Sequence, residues 1–363
     1  MRSITLLPFF LVFGTLAGAQ TPQSGRQIYQ ATCASCHGAD GTGMPQTTVG
    51  FSDPIPDFTD CSYNSREAAQ DWQAIVSKGG PVRQFSRRMP AFRHALTEDE
   101  IERVVAYVRS LCTDDSWPRG ELNLPRAMDT EKAFPEDETV ISSGYVREPG
   151  ASAASAALIY ENRIGARNQF EVVVPLAMRQ LSPKRWTGLH VGDIEIALKR
   201  ALLHSGSRGS ILSGGLEVIL PTGDLTGGFG DGTLAYGGYL AAAQAFPADF
   251  FIQLQGGAEV PVRRNVRDPE AFGRAVFGRT IFLLGGRAFS PMVEVSATKL
   301  LGVDGAKIEA DWIPQMQFAL SRRQHILGSV GMRLPWTSPS GRSRELVMYV
   351  IWDWFDGGLL DGW

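Results

Sequence analysis

The chain has 363 residues, with 35 basic against 38 acidic side chains and a formal charge of -3. That length exceeds what one hydrophobic core usually supports, so at least two domains are expected. The near-balance of charge excludes the basic excess of a nucleic-acid binder, and no nucleic acid partner is implied.

Residues 1–19 read as a cleaved export signal. They hold the lone basic Arg2, an apolar run from Ile4 to Phe13 and the small residues Ala17, Gly18 and Ala19. The run falls short of the roughly 20 residues that a membrane-spanning helix needs. No later stretch approaches about 18 consecutive apolar residues, so a helical membrane protein is excluded and a soluble chain or a barrel remains.

Residues 22–113 carry helical patterns. One runs from Gly25 to Cys36, and a second over 65–78 with Trp72, Ile75 and Val76 on one face. The third opens on the capping box Thr97-Glu98-Asp99-Glu100 and continues through Ile101, Val104, Val105, Val108 and Leu111, with Tyr107 placed to pack on the first. The first helix ends in Cys33-Ala34-Ser35-Cys36-His37, the C-x-x-C-H pattern of c-type haem attachment. Two thiols one helical turn apart reach the two vinyl groups of a porphyrin, and the adjacent imidazole lands on the iron. A redox thiol pair would want a βαβ context and a zinc half-site a second ligand pair, and the sequence offers neither. One covalently bound haem c is therefore expected, held by Cys33, Cys36 and His37. Cys61 and Cys112 form an even pair in an exported chain, which points to a disulfide; two buried free thiols are the alternative.

This segment resembles the class I cytochrome c family. The resemblance rests on Gly25 and Tyr29 before the motif, Gly38 and Gly41 after it, Met89-Pro90, and a last helix ending Tyr107-Val108-Arg109-Ser110-Leu111. It implies an all-α domain and an electron carrier rather than an enzyme. It also implies Met89 as the second axial ligand opposite His37, closing the sixth position and raising the potential relative to two histidines. Met44, followed by Pro45, and His94 are the alternatives.

Residues 114–138 contain Trp117-Pro118, Pro125 and Pro135 without an apolar period and read as a proline-stiffened linker, with Leu122, Leu124 and Phe134 available to dock on either domain. Beyond residue 139 the period becomes two. Trp312, Pro314, Met316, Phe318 and Leu320 alternate with Ile313, Gln315, Gln317, Ala319 and Ser321; Ile194, Ile196 and Leu198 alternate with Asp193, Glu195 and Lys199; Ile252, Leu254, Ala258 and Val260 alternate with Gln253, Gln255 and Glu259. About twelve such segments predict an antiparallel all-β transmembrane barrel over 139–363, apolar outside and polar inside, with a soluble β-sandwich as the alternative. Trp352, Trp354, Phe355 and Trp363 suit a membrane interface, and Asp193, Glu195, Lys199, Glu217 and Glu259 are expected to face the lumen.

Gly192-Asp193, Leu220-Pro221-Thr222-Gly223-Asp224 and Trp352-Asp353-Trp354-Phe355-Asp356-Gly357 give this region a resemblance to the outer-membrane barrels associated with meta-pathway phenol degradation. A cytochrome followed by a barrel also resembles the fused cytochrome-porin iron oxidases of the outer membrane, although those have a short haem segment in place of a complete domain. The expectation is a multidomain protein of the outer membrane with its cytochrome on the periplasmic side. There it would exchange electrons between periplasmic carriers and an external or lumenal partner, the barrel standing in outer-membrane lipid. The other reading is a porin-like small-molecule transporter with an accessory cytochrome.

Overall fold

The computed structural model describes residues 23–148, 152–182, 185–225, 227–283, 287–337 and 342–363; the expected export signal, 1–19, lies outside them. Six helices form the first domain: α1 Gly25–Thr32, α2 Ala34–His37, α3 Gln46–Val49, α4 Cys61–Asn64, α5 Ala69–Lys78 and α6 Glu98–Ser110. Capping boxes open α1 and α6, Ser24 with Gln27 and Thr97 with Glu100, each side chain satisfying the other's orphan backbone N–H. The expected second helix starts at Ala69 rather than residue 65. Arg66 and Glu67, just before it, turn toward the barrel.

Helices α1 and α6 cross at Gly25, where an added Cβ would lie 2.1 Å from the Arg103 carbonyl oxygen. Only glycine allows so close an approach. Above the crossing, the Tyr29 and Tyr107 rings sit 5.3 Å apart, and Ile28, Tyr29, Phe58, Val104 and Val108 make the core. A Cys61–Cys112 disulfide joins the start of α4 to the end of α6 across 51 residues. On the chain-entropy relation that loop is worth about 4 kcal/mol. We expect mass spectrometry of the unreduced protein to find the two peptides linked, and Cys61→Ser with Cys112→Ser to lower domain stability by about that amount.

Twelve long strands follow: β1 Glu138–Val146, β2 Ala153–Ile164, β3 Asn168–Ser182, β4 Ile194–Ser205, β5 Ser210–Leu220, β6 Ala235–Ala245, β7 Phe250–Pro261, β8 Glu270–Arg279, β9 Ala288–Leu300, β10 Glu309–Ala319, β11 Ile326–Pro335 and β12 Glu345–Asp353. All pairings are antiparallel, and β1 pairs with β12 in register from Glu138 opposite Asp353 to Val146 opposite Glu345. That last pairing, with β8 on β9, closes the sheet into a barrel with no free edge. Closure is what backbone in hydrocarbon demands, since an open edge would leave N–H and C=O groups unpaired.

The period-two pattern decides the faces. Leu216 is 73 % exposed and Trp312, Met316, Leu254 and Val350 also point outward, whereas Glu294 and Gln169 are fully buried on the inside. An outward apolar belt this continuous is soluble only when lipid covers it. A lysine at Met316 should therefore cost about 2 to 4 kcal/mol if it lies near mid-membrane. Loss of heat-modifiable migration on gels would report the failed assembly.

The connections differ at the two ends. Segments 165–167, 206–209, 246–249 and 320–325 are short connections on the end where β1 begins and β12 finishes, while 262–269 and 301–308 are longer ones at the other end. The helical domain packs on the tight-turn end. Arg66 pairs with Asp137 and lies 4.0 Å over the Phe355 ring, and Gln324 of a tight turn donates to Asp71 of α5 at 3.1 Å.

The segment 114–138 is not a tether in solvent. Its last part enters the barrel by the tight-turn mouth and returns to the same end to begin β1, filling the lumen as a hairpin plug. Leu122, Ala133 and Phe134 are buried among Ala201, Ile211, Tyr239, Ala241, Ala243 and Phe272; Ala127 packs on Phe251, Val276 and Met292. The plug's backbone polar groups, which have no regular structure to join, are met by inward side chains. Glu294 accepts from the N–H groups of Met128, Asp129 and Thr130; Gln253 donates to the Pro125 carbonyl, Arg274 to that of Asp129, and Ser213 and Tyr349 to those of Ala133 and Arg126. Charges are matched too. Arg126 meets Glu138 and Glu161, Lys199 meets Glu131 at 2.6 Å, and Arg333 grips Asp129 through two nitrogens at 2.7 and 2.8 Å.

Candidate haem site

The attachment motif is shaped by a break at Cys33, which closes α1 and opens α2. Its N–H donates to the Tyr29 carbonyl at 2.8 Å, and its own carbonyl accepts from Cys36 and His37 at 3.1 and 3.0 Å. The two thiols thus sit one short turn apart, with His37 directly after. The Tyr29 hydroxyl donates to the carbonyls of Gly38 and His37 at 2.8 and 3.1 Å, tying the end of the motif to the core.

Burial lowers the His37 pKa, which keeps the imidazole neutral, the form a metal ligand must have. Burial raises the Cys33 thiol, so it is a poor thiolate and ill suited to disulfide exchange. Two buried nitrogens, His37 Nδ1 and Trp72 Nε1, have no hydrogen-bond partner among the described residues. Both border one aromatic cluster, in which His37 stacks on Phe58 at 4.7 Å and Phe58 meets Trp72 edge-on at 5.7 Å. Unpaired buried nitrogens call for a partner: a neutral His37 ring has a lone pair to offer an iron, and the Trp72 N–H would suit a haem carboxylate. The spacing alone gave no sign of Trp72 in this role.

The candidates for the sixth position separate by place. The Met44 N–H donates to the Cys36 carbonyl at 2.9 Å, pinning it beside the attachment motif. His94 is exposed and accepts from the Arg93 side chain at 3.1 Å. Met89 is half-buried on a loop, 79–90, that folds back on itself: the Gly80 N–H donates to the Met89 carbonyl and the Phe85 N–H to that of Gly80, each at 3.0 Å. An added Cβ on Gly80 would stand 2.3 Å from the Ser86 carbonyl oxygen, so the fold of this loop needs glycine there.

One cluster at the junction of the domains went unread in the sequence. Glu67, ahead of α5, brings a carboxylate oxygen within 4.8 Å of those of Asp353 and Asp356 at the end of the barrel. Burial first, and the neighbouring carboxylates second, push Asp356 up to about 8 and Glu67 well above its usual range. Both groups therefore bind more protons folded than unfolded, and stability falls as pH rises from the ordinary carboxylate range through about 8. Denaturant titrations between pH 5 and 9 should show that fall, flattened in Glu67→Gln.

A helical domain with paired thiols, a buried histidine and a methionine loop, joined to a closed β-barrel, has the outline of a c-type electron-transfer protein. Residues 20–108 match the family described as cytochrome c oxidase, cbb3-type, subunit III. Cytochrome c6 of Picosynechococcus sp. is 29 % identical over 119 residues, 32 % of this chain and 94 % of the relative. Cytochrome c6 of Tetradesmus obliquus is 31 % identical over 94 residues, 26 % of this chain and 93 % of the relative. Through its helical domain, the chain belongs to the cytochrome c family, which implies a covalently bound haem c and electron transfer. The barrel is similar to an outer-membrane channel from Pseudomonas putida F1 at 12 % identity and TM-score 0.46, covering 63 % of this chain and 99 % of that one. It is also similar to the KdgM porin at 10 % identity and TM-score 0.39, covering 59 % and 98 %.

Proposed function

We propose that this protein is a monohaem c-type cytochrome held on the periplasmic face of the outer membrane by a sealed barrel, where it passes electrons to and from periplasmic carriers. The observation that carries this reading is the filled lumen. A twelve-stranded barrel falls between the eight strands that enclose only side chains and the roughly 16 of open channels. Here its interior is occupied by the chain's own residues 122–137, bonded to inward groups of nearly every strand. That speaks against the porin-like transporter and against a partner lodged in the lumen. Tight turns at the end that carries the cytochrome favour its placement on the periplasmic side, where outer-membrane barrels keep their short connections.

In this reading Cys33 and Cys36 would attach the haem through their sulfurs, His37 and Met89 would ligate its iron, and the Trp72 N–H would donate to one of its carboxylates. The bound haem supplies a one-electron couple. With His37 and Met89 both taken up as ligands, the site would move an electron without binding oxygen, as a carrier rather than an enzyme would. One haem at one mouth does not bridge about 30 Å of hydrocarbon. Proteoliposomes with reductant trapped inside and an impermeable acceptor outside test this. No transmembrane electron flow and no solute leakage are expected, together with rapid exchange with a soluble cytochrome on the haem face. Flow that depends on the haem would favour a conduit to an external partner, and leakage would favour a pore; either overturns the sealed anchor.

A further inference from the structure

The barrel does more than carry the cytochrome: one of its turns grips the loop that bears Met89. In the turn between β10 and β11, the Arg323 guanidinium donates to the carbonyls of Gln84 and Arg83 at 2.9 and 3.3 Å and stands 4.8 Å over the Phe85 ring. Next to it, Gln324 donates to Asp71, which is itself paired with Arg83. Residues 83–85 lie in the middle of loop 79–90, whose ends meet through the Gly80 to Met89 hydrogen bond.

The grip is built on both sides. Arg322 and Arg323 donate their N–H groups to the Gly362 carbonyl at 2.8 and 3.1 Å, Arg323 Nη1 donates to that of Asp356 at 3.3 Å, and the fully buried His325 is held between Ser321 and the Gly358 carbonyl at 2.9 and 3.1 Å. Among the described residues, only four other than glycine have positive φ, and two of them belong to the segments joined here: Gln84 at 56° and Gln324 at 67°. Such conformations persist where surrounding contacts over-determine them.

We infer that Arg323 is a positioning residue for the electron carrier, bracing loop 79–90 so that the Met89 thioether stays on the haem iron. This rests on Met89 being the second ligand. The planar fork of arginine presents Nε and Nη2 to the two carbonyls at a fixed angle, which the flexible ammonium of lysine does not, so lysine should hold the loop only in part.

The test uses the oxidised full-length holoprotein in detergent, titrated with imidazole, whose nitrogen replaces the thioether sulfur on iron without any electron transfer. The fading of the weak methionine-to-iron band reads the exchange. Arg323→Ala should raise imidazole affinity about tenfold, the factor that corresponds to losing one charge-assisted hydrogen bond, and Arg323→Lys should fall between it and wild type. Arg103→Ala, which breaks an exposed pair with Asp99 on α6, should not change the affinity. Wild-type affinity in both Arg323 variants would overturn the brace. If Arg323→Ala fails to migrate as a closed barrel, Arg323→Lys decides by the same titration. Met89→Ala separates the two ideas: an unchanged band in that variant removes the ligand assignment, whereas a lost band with wild-type affinity in the Arg323 variants removes the brace alone.

Discussion

Replacing residues 122–136 with a glycine-serine segment of equal length should convert a silent barrel into a conducting one. In planar bilayers the full chain is expected to stay at leak level, and the replaced variant to show discrete openings, because the space between strands would fill with water. The inward groups left behind, Glu161, Lys199, Arg274, Glu294 and Arg333, would line that channel instead of pairing with the plug. A finer cut is Arg126→Ala. It leaves Glu161 buried without its cation, while Glu138 keeps Lys132 at 3.8 Å, a loss of about 3 to 5 kcal/mol. Conduction by the unaltered protein, or silence of an assembled plug-less variant, would defeat the sealed-anchor reading.

Met89→Ala should abolish the methionine-to-iron band and lower the reduction potential by on the order of 100 mV, a fraction of the roughly 0.8 V that axial ligands command. The direction follows from chemistry: a thioether favours reduced iron, and water or a nitrogen base in its place favours the oxidised form. Met44→Ala should leave band and potential unchanged, since the Met44 backbone is fixed beside Cys36. The opposite pattern in the two variants would exchange their roles.

The parts legible in the sequence are those where local chemistry fixes the answer. Cys33 to His37 needs no context, Thr97 and Glu100 announce the start of α6, and the alternation at 312–321 sorts lipid from lumen because strand side chains alternate strictly. The leftover Cys61 and Cys112 pair in the structure as expected. The docking of Leu122 and Phe134 matches the sequence expectation, but the plug as a whole was not legible, for the opposite reason. Residues 122–137 have no period because their conformation is imposed from outside, by Glu294, Gln253, Gln255 and Arg274, contributed by strands more than a hundred residues away. Its prolines and buried charges look like those of a solvated connector until the partners are seen. Arg323 and Glu67 were missed likewise: each is an ordinary charged residue near the end of an element, and only the docking of one domain on the other gives it a task.

The plug also bears on how the chain can be assembled. Its stem is fastened to the helical domain, with Arg119 donating to the carbonyls of Arg109 and Cys112 and Glu121 accepting from Arg109 and from the Ala69 N–H. Yet both legs of the hairpin use the same mouth, so nothing is threaded through the ring of strands. A globule of about 30 Å, the size expected for such a domain, never has to pass through the barrel. Haem attachment and disulfide formation can finish before any strand reaches the bilayer, and the first strand can meet the twelfth either around the hairpin or ahead of its entry. The order of biogenesis is left open by topology, and the cytochrome can mature on its own schedule.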